Sequence, residues 1–248
     1  MTTLAWGYLA LHAAHTDVSS ASHAAMGMTA VPWTGAHFVV TLLMWAVMMV
    51  AMMLPSAAPM VLTYASVVGR LAPEQDNRSS GAVFAAAYLL VWFGFSVGAT
   101  LLQAGLERAA LLSPMTMASA PLLGGVLLIL AGIYQWSPLK DFCLRNCQSP
   151  LTFIARNWRP GLEGALRMGL RHGAYCVGCC WALMLLLFVG GVMNLLWVAA
   201  ISVFVILEKL IGSAPRLGRG LSGGALVLAG AVLVFSASGL NGTATEAI

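Results

Sequence analysis

Leu43-Met44-Trp45-Ala46-Val47-Met48-Met49-Val50-Ala51-Met52-Met53-Leu54-Pro55-Ser56-Ala57 completes an apolar run that opens at His37 and contains no Asp, Glu, Lys or Arg. A helix rises about 1.5 Å per residue, so a run of this length spans the ~30 Å hydrocarbon core of a bilayer. Five further apolar runs follow, at Ala82 to Gln103, Pro121 to Trp136, Gly173 to Val192, Leu195 to Ile211 and Leu221 to Leu240. The third and fifth are short. The chain is 60% hydrophobic and 8% charged over 248 residues, with a mean hydropathy of +0.89. A soluble domain needs about 25% charged residues to face water. The expected fold is therefore an all-α, polytopic transmembrane helix bundle of about six spans whose partner is the lipid bilayer. The segment Leu4 to Ala14 is too short to span alone and is expected to lie at the membrane surface. The start, Met1-Thr-Thr-Leu-Ala-Trp6, has neither a basic n-region nor a long apolar core, so no cleaved leader is expected there.

Basic residues orient the spans. With the N-terminus outside, Arg70, Arg78, Lys140, Arg145, Arg156, Arg159, Arg167, Arg171, Lys209, Arg216 and Arg219 fall on the inner side, and only Arg108 of the 12 falls outside. This is the positive-inside bias, and it accounts for the net charge of +4 without a nucleic-acid partner. Residues 1–36 are then an outer, periplasmic segment, and 37–248 form the bundle, with a cytoplasmic Cys/Arg-rich stretch at 137–172. Phe153, Ile154, Trp158, Leu162, Leu166, Met168 and Leu170 lie among the arginines of that stretch, a pattern suited to an interfacial amphipathic helix.

Two groups of soft donors stand out. Met44, Met48 and Met52 recur one turn apart on one helical face, with Met49 and Met53 in a parallel row. Thioethers suit Cu(I) and are poor ligands for hard cations; the same residues also serve as packing. Pro55 and Pro59 are expected to break this helix near the inner boundary and free carbonyls there. All 5 cysteines fall toward the inner side. Cys143 and Cys147 share one segment, and Cys176, Cys179 and Cys180 open the fourth span beside His172. Cys176 and Cys180 are i, i+4. Disulfides are disfavoured in the cytoplasm, so metal binding or redox sensing outranks a bridge, and nearby arginines and His172 would favour the thiolate. Copper is the metal these donors fit best, with zinc possible, since the spacing is not that of a zinc ribbon. The outer segment adds His12, His15, His23, Met26 and Met28, either a copper collector or a flexible arm.

Several classes lose ground. A proton-coupled transporter needs an intramembrane acid or histidine, and none lies between the span ends. Glu208 and Lys209 read as an interfacial pair, with Lys209 snorkelling to the inner surface. His37 and His172 sit at opposite faces, which argues against a bis-histidine haem. No Ser/His/Asp signature supports hydrolysis. Gly94 and Gly98 form a Gly-x₃-Gly expected to pack a neighbouring helix.

Met44-Trp45 through Leu54-Pro55, Tyr134-Gln135-Trp136-Ser137-Pro138-Leu139-Lys140, Cys143-x₃-Cys147-x₂-Pro150 and Gly173-x₂-Cys176-x-Gly178-Cys179-Cys180-Trp181 together resemble a bacterial family of predicted metal-binding integral membrane proteins (domain of unknown function 2182). The likeness continues through Gly190-Gly191-Val192-Met193-Asn194 and Glu208-Lys209. It implies a multi-pass metal protein of the bacterial inner membrane and supplies no substrate or reaction. Three functions stay open: Cu(I) binding with transport or delivery, an accessory or assembly subunit of a membrane metalloenzyme complex, and a membrane thiol oxidoreductase using Cys143/Cys147 and Cys179/Cys180. The partners these imply are other membrane subunits or a metallochaperone.

Overall fold

The computed structural model describes residues 5–7, 33–72, 74, 76–112, 120–192, 194–210 and 215–245. Every element named here is a helix: α1 (Gly35–Leu71), α2 (Asn77–Arg108), α3 (Pro121–Gln135), α4 (Pro138–Gln148), α5 (Pro150–Asn157), α6 (Gly161–Leu185), α7 (Leu187–Gly190), α8 (Leu195–Leu210) and α9 (Pro215–Thr245). Most of the segment Leu4 to Ala14, and all of His12, His15, His23, Met26 and Met28, lie outside the described residues.

Local chemistry sets the boundaries. Thr34 caps α1 by accepting from the His37 N–H, and Asp76 caps α2 by accepting from Arg78 and Ser79. Pro121, Pro138 and Pro150 each sit at a helix start, where a missing N–H costs nothing, so they divide the chain into three short helices. Between α7 and α8, Gly191 takes φ 88°, a left-handed conformation that favours glycine. A Cβ on the preceding Gly190 would fall 2.5 Å from the Trp197 ring. The Asn194 side chain then accepts from the Trp197 N–H as α8 begins.

Four stretches are long and apolar enough to cross a membrane: Gly35–Leu71, Arg78–Arg108, Gly161–Gly190 and Gly218–Ser238. A fifth is added if α3 and α4, bent by 67°, are one broken span. The outward faces carry Leu90, Leu101, Leu130, Leu228 and Phe235, all exposed, as a lipid-facing surface requires.

Three expectations change. α1 is unbroken through Pro55 and Pro59. The hydroxyls of Ser56 and Tyr88 donate to the Met53 carbonyl, and Thr63 donates to that of Pro59. The stretch 137–172 is two short helices and the start of α6, and Phe153, Ile154 and Met168 are buried rather than turned to lipid. Gly94 and Gly98 face open space. Close packing falls on other glycines. Gly125 and Gly132, two turns apart on α3, meet Gly230 and Gly223 of α9, and a Cβ added at Gly125 or Gly132 would fall 2.7 Å from an atom of α9. Gly169 and Gly173 of α6 lie against Phe84, Ala87, Tyr88 and Val91 of α2. Lipid offers no hydrophobic drive to bring helices together, so close backbone approach and dispersion must do it.

Gly132→Val is therefore expected to destabilise the purified protein by about 1–3 kcal/mol through overpacking, lowering its thermal unfolding midpoint in detergent. The double change Gly94→Ala/Gly98→Ala should leave the midpoint unmoved. Equal effects from the two variants would contradict this packing.

Candidate metal centre

The site begins in the N-terminal half of α1. Met44, Met48, Met49, Met52 and Met53 are all buried, none above 3% exposed, and they share one continuous core with Cys143, Cys176, Cys179 and Cys180. The methionine rows thus face the bundle and not lipid. Over their nine-residue rise the column runs about 13 Å. Its Met53 end is linked to the cysteines through Tyr88, whose hydroxyl lies 3.2 Å from the Met53 carbonyl and 3.1 Å from Cys176 Sγ.

Cys176, Cys179 and Cys180 have their sulfurs within 4.8 Å of one another, a group able to hold a metal ion. The thiols of Cys179 and Cys180 donate to the Cys176 carbonyl at 3.1 and 2.9 Å. Cys147, from α4, packs against the same core. Cys143 packs its sulfur on Gly178, where a Cβ would fall 2.7 Å away. All five cysteines are free thiols. The tertiary fold therefore draws both sequence segments into one neighbourhood, and only glycine at 178 lets α4 come so close to α6. The Tyr134 hydroxyl donates to the Gly178 carbonyl and reinforces the same approach.

His172 stands one turn before Cys176 but is not part of the three-sulfur group. Its ring sits among Phe84, Tyr88 and Phe153, with centroid separations of 5.9, 5.5 and 5.5 Å, and its buried Nδ1 has no partner among the described residues.

The cation at the cysteines is neither an arginine nor His172. Lys209 is 8% exposed, and its Nζ donates to Cys176 Sγ at 3.0 Å and to Ser56 Oγ at 2.8 Å. It does not snorkel, because α8 presents it to α1 and α6 and not to the surface. Glu208, its sequence neighbour, turns the other way and binds Lys140 at 2.8 Å, with side-chain exposures of 9% and 1%. Asp141, next to Lys140, engages Arg145 on its own helix and Arg219 of α9. The expected interfacial pair is thus two separate buried contacts.

Sequence reasoning missed Tyr88, Ser56, Lys209 as a site group, and Met184. Only Met184 had a legible signal: it continues the i, i+4, i+8 row of Cys176 and Cys180, and it is fully buried in the same core. At the far end of the methionine column, Trp45 Nε1 donates to Gln103 Oε1 at 2.8 Å, Gln103 donates to Glu107 at 2.9 Å, and Trp33 donates to Glu107 at 2.7 Å. A polar chain therefore runs from the column to Trp33, just before the start of α1.

Membrane-length helices enclosing a buried core of thioethers and thiols define a transmembrane, metal-binding helical protein. The chain belongs to the PpoB2 copper chaperone family, whose profile matches residues 42–233. No curated protein and no solved structure matches it.

Removing Lys140 as Lys140→Met would strand the buried Glu208 carboxylate, at a cost of about 3–5 kcal/mol. The companion double variant Lys140→Met/Glu208→Gln should recover most of the loss in unfolding midpoint. A single variant as stable as wild type would show that the pair is not buried as described.

Proposed function

We propose that the protein binds Cu(I) in the bacterial inner membrane and hands it on, acting as a membrane copper chaperone. The observation that carries this reading is the continuity of soft donors: a buried methionine column ends on a cysteine cluster, in a chain of a copper chaperone family. Cu(I) is the cargo. Met44, Met48, Met49, Met52 and Met53 would offer it weak thioether ligands, and Cys176, Cys179 and Cys180 would hold it more tightly, with Cys147, Cys143 and His172 at the periphery. Weak, repeated sites let an ion enter and leave.

Donor chemistry supports copper over zinc. Thiolate and thioether ligands select Cu(I), whereas structural zinc asks for a closed set of four, usually with Cys or His. The Lys209 ammonium beside Cys176 offsets part of the negative charge that thiolate ligands bring to the site.

In this reading the chain crosses the bilayer six times from an outer N-terminus, residues 1–36 form a periplasmic segment, and residues 37–248 form the bundle with 137–172 toward the cytoplasm. The sidedness of the basic residues supports that arrangement. α3 and α8, at 15 and 16 residues, are the short crossings, made possible by local thinning or their bent neighbours. A recipient metalloprotein or a metallochaperone is the partner that delivery requires.

The test is elemental analysis and Cu(I) competition titration of detergent-purified protein after anaerobic reconstitution. Wild type is expected to retain copper stoichiometrically, and Cys176→Ser/Cys179→Ser/Cys180→Ser to lose it. Lys209→Met should weaken Cu(I) binding by about 10–100-fold, as loss of a group supporting a ligand does. Changing the five methionines to leucine conserves core volume, so the tight site should survive while its loading slows. Wild-type protein that takes up no Cu(I) under reducing conditions would sink the proposal.

A further inference from the structure

The copper reading leaves an arginine-lined cavity unused. Arg156 in the last turn of α5, Arg159 in the connector, and Arg167 and Arg171, one turn apart on α6, line a cavity of about 370 Å³ with Asn157 and Trp158. Among the described residues no carboxylate lines it. Glu163 pairs with Arg167 at 2.6 Å, and Arg171 Nε reaches the Tyr175 hydroxyl at 3.4 Å. Arg156 and Arg159 have no hydrogen-bond or ion-pair partner among the described residues. Four guanidiniums against one carboxylate leave three positive charges unbalanced around a single concavity. Like charges so arranged repel unless an anion joins them, and the guanidinium fork matches the paired oxygens of a phosphate group.

The position of the cavity narrows the anion. The stretch Gly173–Gly190 of α6 and α7 has no charged residue, so Arg171 sits two residues from the start of its apolar span. The four arginines are therefore at the level of the lipid headgroups. Leu151, Leu162 and Leu166, beside them in sequence, are 67%, 52% and 41% exposed. Exposed leucines next to an arginine cavity suit an amphiphile better than a free anion: a phosphate for the guanidiniums and acyl chains for the leucines. Trp158, half-buried at the rim, is the residue type that settles at the headgroup boundary.

We propose that this cavity binds the phosphodiester headgroup of an anionic phospholipid. The site is independent of the copper reading and needs no metal for its test. Basic pockets at the ends of membrane helices draw anionic headgroups by charge, each arginine adding a several-fold gain. Bound there, a lipid would bridge α5, the connector and the start of α6, and so tie the segment before the cysteines to the membrane surface.

The experiment is native mass spectrometry of the full-length, detergent-purified protein with dioctanoyl phosphatidylglycerol or dioctanoyl phosphatidylcholine. Arg156→Gln/Arg159→Gln removes the two partner-free arginines, both exposed, so an unchanged melting temperature without lipid checks the fold. Arg70→Gln/Arg78→Gln removes equal charge elsewhere. Wild type is expected to bind phosphatidylglycerol in preference to phosphatidylcholine, and the Arg156/Arg159 variant to lose about tenfold or more in affinity while the control changes less than about twofold. Equal losses in both variants would make the binding diffuse charge and overturn the site. Equal binding of phosphatidylcholine, or displacement of phosphatidylglycerol by inorganic phosphate or hexaglutamate at matching concentration, would overturn the lipid assignment.

Discussion

A buried ammonium must have a partner, and the one on Lys209 is a sulfur. Leaving an amine unpaired in a dry interior costs several kcal/mol, so Lys209 binds whatever acceptors the fold brings it. They are Cys176 Sγ from α6 and Ser56 Oγ from α1. Tyr88 from α2 reaches the same sulfur and the Met53 carbonyl. One thiol thus joins four helices. The join falls at the Met53 end of the methionine column of α1, and the two sets of soft donors share one core there. Ser56 serves twice, since its hydroxyl also donates to the Met53 carbonyl close to where Pro55 and Pro59 interrupt the helical ladder.

Glycine placement makes the rest of the bundle possible. With lipid outside, helix pairs gain little by hiding apolar surface and must gain by contact. α3 and α9 touch backbone to backbone at Gly125, Gly132, Gly223 and Gly230, and α6 rests on α2 through Gly169 and Gly173. The second contact holds the cysteine-bearing helix in place, and Gly178 lets Cys143 approach from α4. The conspicuous Gly94 and Gly98 pair takes no part in this, since both residues face open space. Small residues four apart permit close packing, but whether they are used depends on which way the helix is turned.

Buried charge also organises the opposite side of the cysteines. Lys140 with Glu208, and Asp141 with Arg219, connect α4 to α8 and α9. Each carboxylate is taken by a cation on another helix, so adjacent residues along the chain, Lys140 and Asp141 or Glu208 and Lys209, act in different contacts. Alternation of this kind is forced by helical geometry, which sends neighbouring side chains about 100° apart.

Composition alone settled the class, because 8% charged residues cannot wet a globular surface. Helical periodicity put Met44, Met48 and Met52 in one row and Cys176 and Cys180 in another, for it depends only on 3.6 residues per turn. It could equally have extended that second row to Met184. What the chain alone could not decide is the direction each row faces, since azimuth is relative to neighbours and the neighbours are distant in sequence. Only the packed bundle turned the methionines inward, brought Cys143 and Cys147 to the core that holds Cys176 and Cys179, and sent Lys209 to the sulfur instead of the surface. A lysine at a helix end can snorkel or be buried with the same local sequence; the helices standing around it choose, because they decide whether water or a sulfur is within reach of its ammonium.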